Sequence, residues 1–201
     1  MAKRSASKGL SYKRSKKDFY RTPYEAVLPL LAHLPNHVSF VEPCAGAGHL
    51  IGHLERHGHD CQRAYDIAPA KKSLIGGIEQ ADALQVKAQH FRDYYITNPP
   101  WSRPVLHALI EHLRVQRATW LLFDADWKYT VQMDVANKYG VQTVPQLLAY
   151  CHKIVAVGRV NWIENTGNKK GMDNAAWYLF TDQPNDGAPK FYPIGWKGDS
   201  V

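Results

Sequence analysis

The sequence has few cysteines and no long apolar segment. Its three cysteines, Cys44, Cys61 and Cys151, are an odd number at wide spacing, which argues against a disulfide framework and is typical of a reducing compartment. No apolar run approaches the roughly 18 residues that a membrane-spanning helix needs. The first residues also lack the apolar segment of a secretory signal. We therefore expect a cytoplasmic protein with no membrane partner.

Acidic residues are absent from the first 17 positions, where all of the net charge lies. Residues 1–17 contain seven lysines and arginines, whereas the whole chain has 25 of them against 18 acidic residues, a net charge of +7. Residues 18–201 are therefore formally neutral, and we expect them to form one folded domain. The leader is rich in serine and lysine, so we expect a disordered basic arm. It is either a solubilising tail or an arm that contacts nucleic-acid phosphates.

Short apolar runs alternate with helical stretches over residues 18–180. We predict strands at Val38–Glu42, Cys61–Asp66, Gly76–Ile78, Asp93–Thr97, Ala118–Phe123, Lys153–Val160 and Ala175–Phe180. We predict helices at His49–His57, Pro104–Leu113, Val131–Tyr139 and Pro145–Tyr150, and an earlier one with Thr22 as its N-cap. This alternation predicts an α/β fold with a mostly parallel sheet. The last two strands, joined by a polar loop, predict an antiparallel hairpin at one edge.

A glycine-containing turn follows the first predicted strand, which ends in Glu42. The chain then passes through Gly46 and Gly48 into a helix, and the carboxyl end of the first strand is where a doubly wound sheet binds nucleotide-like ligands. The spacing is not the dinucleotide G-x-G-x-x-G, because Ile51 stands where the third glycine would be. An acid before the turn would repel a pyrophosphate but suits a ligand with an amino group and a sulfonium. Asp66 ends the next strand, where a carboxylate can hold ribose hydroxyls.

The segment Asn98-Pro99-Pro100-Trp101 follows a later predicted strand. Its two prolines fix the backbone and remove two hydrogen-bond donors. The Asn98 oxygen and the Pro99 carbonyl can then each accept an N–H from a planar amine, which makes the lone pair of that nitrogen nucleophilic. Trp101 offers a face on which a planar base can stack. The alternative interpretation is a tight turn with a core tryptophan.

Together these segments resemble motifs of the S-adenosylmethionine-dependent amino-methyltransferases, especially the adenine-N6 DNA methyltransferases. Glu42–Gly48 is similar to motif I, Asn98–Trp101 to motif IV, and Phe19–Pro23 to motif X. The resemblance implies a Rossmann-like class I methyltransferase domain with a twisted sheet, S-adenosylmethionine as cofactor and nucleic acid as partner, with DNA favoured. Motif IV also occurs in enzymes that methylate RNA guanine N2 or protein glutamine, so these substrates stay open. A catalytically inactive nucleic-acid-binding module is the non-enzyme alternative.

The resemblance also implies which residues form the site. The catalytic set is Asn98, Pro99, Pro100 and Trp101. The cofactor-binding set is Tyr20, Thr22, Pro23, Glu42, Pro43, Cys44, Ala45, Gly46, Gly48, Asp66, Ile67, Asp82, Ala83 and Asn98. In this set Asp66 corresponds to the acid that holds the ribose, and Asp82 to the acid near the cofactor adenine. No separate target-recognition domain fits after residue 180, which leaves the part that reads the substrate unassigned.

Four further residues are candidates for substrate binding. Asp126 and Trp127 follow a strand that ends at the same sheet edge as Asn98, so they either line the base pocket or, in the case of Asp126, cap the following helix. Lys169 and Lys170 lie in the polar loop between the last two strands, which is either a solvated loop or a substrate loop above the site.

A group of histidines and one cysteine has some resemblance to a metal site. His53, His57, His59 and Cys61 would have to span a helix end and a strand start, and no further Cys/His pair follows. We therefore predict no metal.

Overall fold

The described part of the chain forms an eight-stranded sheet with helices on both faces. The computed structural model describes residues 21–87, 93–162 and 173–196. Its strands are β1 (Ser39–Glu42), β2 (Asp60–Asp66), β3 (Ile78–Gln80), β4 (Tyr94–Thr97), β5 (Ala118–Asp124), β6 (Cys151–Arg159), β7 (Asn174–Phe180) and β8 (Lys190–Tyr192). Its α-helices are α1 (Tyr24–Leu31), α2 (His49–Glu55), α3 (Arg103–Arg114), α4 (Met133–Tyr139) and α5 (Val144–Leu148). Two 3-10 turns cover Ala83–Gln85 and Ala125–Tyr129.

The strand order is β3-β2-β1-β4-β5-β7-β6-β8. The strands from β3 to β5 pair in parallel, whereas β7 is antiparallel to both of its neighbours, β5 and β6. The expected α/β fold, with a mostly parallel sheet and an antiparallel hairpin towards one edge, is therefore confirmed. Strand β8, which the sequence pattern did not predict, pairs in parallel with β6 and forms the outer edge.

Alternate residues of the central strands face two separate apolar layers. Val41 and Tyr95 pack in the layer that contains the buried side chains of α3 and α5. Their neighbours Phe40 and Ile96 pack in the opposite layer, with the buried side chains of α1 and α2. Because successive side chains of a strand point to opposite faces, the central strands must be apolar at nearly every position. This is why they could be recognised from short continuous apolar runs.

Two local predictions were wrong. The third strand is shifted from Gly76–Ile78 to Ile78–Gln80. Thr22 is not the N-cap of the first helix, because Pro23 occupies that position and the helix begins at Tyr24. No helix in the described part of the chain has the length and apolar character needed to cross a bilayer.

Candidate functional site

The parallel strands bring the main candidate residues to one edge of the sheet. Glu42 and Asp66 are the last residues of β1 and β2, and Asn98 comes directly after β4. Asp124 ends β5, the next strand along. Since β2, β1, β4 and β5 run in the same direction, all four side chains lie at the carboxyl edge, where open α/β sheets bind their ligands.

The turn after β1 is held to the end of β2 by Asp66. One carboxylate oxygen of Asp66 accepts a hydrogen bond from the Gly46 amide at 2.8 Å, and the other accepts one from the Ala68 amide at 2.7 Å. A carboxylate has about four acceptor positions, so two remain for hydroxyl groups. Asp66 therefore has both a structural role in the turn and the capacity to hold a diol.

Both glycines of this turn have positive φ angles, 57° at Gly46 and 83° at Gly48. A side chain is strained in this region, which favours glycine. At Gly48 the chain itself adds a second requirement, because a Cβ atom there would lie 2.6 Å from the Ile75 side chain. Packing within the chain thus explains part of the glycine pattern that the sequence led us to assign to a ligand.

Glu42 is a buried acid with spare hydrogen-bonding capacity. Its side chain is only 1% exposed, and its Oε2 atom has no hydrogen-bond partner among the described residues. Burial, followed by the negative charge of Asp66, raises the pKa of Glu42 well above its ordinary value. A cationic group placed beside this carboxyl would supply the missing partner and favour its ionised form. The acceptor oxygens of Glu42 and Asp66 therefore fit a ligand that carries an ammonium and a ribose.

Asn98 is held at both ends of its amide. Its Nδ2 donates to the Thr22 Oγ1 at 3.3 Å, and its Oδ1 accepts from the Trp101 Nε1 at 3.2 Å. Thr22 is in turn buried, and its carbonyl accepts a hydrogen bond from His53 Nε2 at 3.2 Å. The Thr22 side chain therefore contacts the Asn98 amide instead of capping α1. The local sequence around Thr22 predicts only a helix cap, because the residue that Thr22 contacts lies 76 residues away in the sequence.

Trp101 is half-buried and packs edge-on against another tryptophan, Trp162. The two ring centroids are 5.3 Å apart and the ring planes meet at 83°. Trp162 lies just after β6 and was missed by sequence reasoning. In the sequence, Trp162 is only an isolated aromatic residue at the beginning of the polar loop, and no motif marks it as part of the site.

The remaining described members of the cofactor-binding set differ in their surroundings. Pro43, Ala45 and Ala83 are buried, Pro23 and Cys44 are half-buried, and Ile67 and Asp82 are exposed. Burial raises the pKa of the Cys44 thiol, and the charges of Asp66 and Glu42 raise it further, so the thiol stays protonated at neutral pH. The Asp82 side chain accepts from the Leu84 amide at 2.9 Å and caps the first 3-10 turn.

The structure corrects the expectation for Trp127. This residue is fully buried in the core, packs against Phe123 and Tyr178, and donates from its indole to His107 Nε2 at 2.9 Å. It therefore cannot line an open base pocket. Asp126 does not act as the cap either, because Asp124 accepts from the Asp126 amide and caps the turn.

Asp126 is itself exposed, whereas Asp124 forms an ion pair with Arg103 at the beginning of α3. Sequence reasoning missed this pair, which links the end of β5 to the segment that follows Trp101.

Three candidate residues, Tyr20, Lys169 and Lys170, lie outside the described residues, as does the arm of residues 1–17. Within the described ranges, no three His, Cys, Asp or Glu side chains are grouped so that they could hold a metal ion. Of the histidines considered, His57 hydrogen-bonds the Tyr24 hydroxyl at 2.9 Å and His59 is buried.

Comparison with known proteins identifies the fold but not a family. No protein-family profile matches the chain, and no curated protein sequence matches it. Among solved structures, a candidate RNA methyltransferase from Pyrococcus horikoshii aligns with a TM-score of 0.50 and 14% identity, over 83% of this chain and 86% of that one. The similarity is therefore one of architecture.

Two further structures support the same architecture. The M protein of the type I restriction enzyme EcoKI aligns with a TM-score of 0.54 and 11% identity, over 88% of this chain and 48% of that one. The 23S rRNA methyltransferase ErmE aligns with a TM-score of 0.52 and 14% identity, over 83% of this chain and 71% of that one. The chain thus has the fold of the class I S-adenosylmethionine-dependent methyltransferases.

Proposed function

We propose that this protein transfers a methyl group from S-adenosylmethionine to an exocyclic amine, and that the amine is adenine N6 in DNA. The observation that carries the proposal is the placement of Asn98-Pro99-Pro100-Trp101 at the same sheet edge as Glu42 and Asp66. One end of this edge presents acids suited to an ammonium and a diol, and the other presents acceptors suited to a planar amine.

The cofactor would be held by residues that the structure brings together at the ends of β1 and β2. Glu42 would accept from the amino group of the methionine part, and the two free acceptor positions of Asp66 would hold the ribose hydroxyls. When bound, S-adenosylmethionine supplies an electrophilic methyl group. The protein's contribution is to hold that group in line with the amine, and such positioning can account for much of the rate.

Asn98 would activate the amine through its side-chain oxygen. That oxygen has two acceptor positions, of which the Trp101 indole uses one, so the other can accept an N–H of the substrate. The Pro99 carbonyl would accept the second N–H. Both contacts draw the nitrogen lone pair out of conjugation with the ring and towards the methyl group. In a duplex the target base must leave the stack to reach this position.

RNA is the second candidate substrate, and a specific observation favours it. The structures with similar architecture include the 23S rRNA methyltransferase ErmE as well as the M protein of a type I restriction enzyme. DNA is preferred because the segment that resembles motif X precedes the one that resembles motif I. That order resembles the adenine-N6 DNA enzymes.

The test is product analysis with labelled S-adenosylmethionine on DNA, RNA and protein, followed by mass spectrometry of the nucleosides or peptides. N6-methyladenine in DNA is the expected product. Label in RNA guanine or protein glutamine would contradict the DNA assignment, and no transfer to any of the three would overturn the methyltransferase proposal.

A substitution separates chemistry from binding. Asn98→Ala should lower kcat by about 100-fold or more, the scale of losing one positioned polar group at the reacting atoms, and should weaken cofactor binding by a much smaller factor. The matched control is Ser102→Ala, an exposed neighbour whose side chain makes no cap bond to α3. Equal turnover in Asn98→Ala and wild type would remove Asn98 from the mechanism.

A further inference from the structure

A protrusion of the chain leaves the core and returns to it between β5 and β6. Its two ends, Val131 and Val144, are joined by a hydrogen bond of 3.1 Å from the Val144 amide to the Val131 carbonyl. We call residues Val131–Val144 the protrusion. It contains α4, and none of the seven residues of α4, all of which the structure describes, is buried.

The base of the protrusion is firmly attached. His107 on α3 donates from Nδ1 to the Gln142 carbonyl at 2.8 Å and accepts from the indole of the buried Trp127 at 2.9 Å. The Gln142 side chain donates to Glu111 at 2.6 Å. Ordering a residue costs about 1 kcal/mol or more in backbone entropy, and the outer part of the protrusion recovers little of this through burial. Ordered surface loops of this kind frequently carry function.

The exposed side chains of this region are large and partly aromatic. Tyr129, which precedes the protrusion, is 75% exposed, and Met133 and Tyr139 on α4 are 50% and 52% exposed. A lysine stands over each tyrosine: the Lys128 ammonium is 4.2 Å from the Tyr129 ring centroid, and the Lys138 ammonium is 5.2 Å from that of Tyr139. Each tyrosine is therefore a stacking platform that has an ammonium over its ring and is still more than half exposed.

One residue in the same segment has a strained backbone. Gln132 has a φ angle of 58°, and it is the one non-glycine residue with positive φ in the described ranges. Such a conformation costs on the order of 1 kcal/mol and tends to occur where a chain is shaped for binding. In this chain it is the N-cap of α4.

Tyr129 is the ring closest along the chain to the candidate site. Tyr129 ends the 3-10 turn that begins directly after β5, the neighbour of β4 in the sheet. Asp124, at the end of β5, is ion-paired with Arg103, which follows Trp101 by two residues. Tyr129 therefore comes five residues after Asp124, which lies at the same sheet edge as Asn98.

We infer that Tyr129 and the protrusion bind the unpaired nucleotides next to the target base. This inference rests on the proposed function. Stacking on an aromatic ring suits a base that has left the duplex, and a lysine in contact with the ring suits the adjoining phosphate. Asp126 and Asp134 formally balance Lys128 and Lys138, so bulk charge does not favour an intact duplex backbone at this surface. The partner is thus an unpaired strand held mainly by stacking.

The test compares variants that remove or keep each ring. Tyr129→Ala and Tyr139→Ala should each weaken binding of a short fluorescein-labelled single strand about tenfold, the loss expected when one base–aromatic stack is removed. Tyr129→Phe and Tyr139→Phe keep the ring and should bind as wild type does. Val115→Ala, at an exposed apolar position beyond the C-terminal end of α3, is the matched control. In turnover assays the alanine variants should raise KM for nucleic acid and leave cofactor affinity unchanged.

The outcomes separate this inference from the proposed function. If wild type methylates nucleic acid but both alanine variants bind the strand normally, the stacking surface is wrong and the methyltransferase proposal stands. If wild type neither binds nor methylates DNA or RNA strands, both fail. DNA and RNA strands of one sequence show which nucleic acid is bound. Sedimentation that reveals a dimer in wild type and a monomer in Tyr139→Ala, with strand binding unchanged, would assign the surface to a second copy of the chain.

Discussion

At the scale of single residues, the two acids of the candidate cofactor site have contrasting environments. Asp66 accepts hydrogen bonds from two backbone amides and is partly exposed. Glu42, in contrast, is buried, and one of its carboxyl oxygens has no hydrogen-bond partner among the described residues. An ionised carboxyl without a partner is costly in the interior. A residue that carries such a cost at the ligand-binding edge of the sheet is a functional candidate on physical grounds.

Glu42→Gln should therefore raise the stability of the protein relative to wild type at higher pH, while it weakens the binding of S-adenosylmethionine. Because burial raises the pKa of folded Glu42, its favourable contribution is fully present below the unfolded pKa of about 4.3 and is lost as the pH rises through the folded pKa. The glutamine variant does not titrate. Its Tm relative to wild type should thus increase as the pH rises above about 4.3, by about 2–4 °C for each kcal/mol of stability that the wild type loses.

Cofactor binding should respond in the other direction, since glutamine cannot offer a charge to an ammonium. We expect Glu42→Gln to weaken S-adenosylmethionine binding about tenfold or more, the scale of a charged hydrogen bond. Glu55→Gln, at an exposed position on α2, is the control for both measurements. A Tm difference that is constant with pH, together with unchanged calorimetric affinity, would show that Glu42 is only a packing residue.

At the scale of elements, α3 couples the sheet edge to the protrusion through His107. Burial is the main cause that lowers the pKa of His107, and Arg103 lowers it further, although the hydrogen bond to Gln142 acts in the opposite direction. The neutral ring donates to the Gln142 carbonyl and accepts from the Trp127 indole. A protonated ring has no acceptor for that indole.

Lowering the pH should therefore weaken the attachment of the protrusion to α3 through His107. The folded pKa of His107 is lowered, so its contribution to stability is present above the unfolded pKa of about 6.5 and is lost as the pH falls through the folded value. His107→Gln should reduce the loss of stability between about pH 7.5 and pH 5, by up to about 1.4 kcal/mol per pH unit. Denaturant unfolding at several pH values measures this, with the exposed His37→Gln as control. Parallel pH profiles for wild type and His107→Gln would contradict the role.

Most elements were predictable because their signals are local. Central strands buried on both faces give continuous apolar runs, and β1, β4, β5 and β7 were predicted close to their observed positions in this way. Strand β8 was missed because only Tyr192 of its three residues is buried. Contacts between distant segments were also inaccessible: the side chain of Thr22 contacts Asn98, and the indole of the buried Trp127 donates to His107. The edge to which the candidate residues converge followed from the strand pattern, but their mutual hydrogen bonds did not.

At the scale of the whole molecule, the net positive charge and the main candidate site residues lie in different parts of the chain. The body of residues 18–201 is formally neutral, and its candidate site presents acids at one end of the edge and stacking rings at the other. Such a body has little long-range attraction for phosphates. The arm of residues 1–17, which lies outside the described residues, carries the full net charge of +7. We propose that the arm supplies the general affinity for nucleic acid and the body supplies the chemistry.

Removal of the arm tests this division. A protein that begins at Asp18 should bind DNA more weakly by a similar factor for all sequences, because binding to phosphates carries no sequence information. The slope of log K against log salt should also become shallower, by up to about 0.9 for each duplex phosphate that the arm neutralises in the 201-residue chain. Affinity for S-adenosylmethionine should stay unchanged, since Glu42 and Asp66 lie in the body. An unchanged salt slope would make the arm a solubilising tail, and affinity for the strand would then have to come from stacking on residues such as Tyr129 and Tyr139.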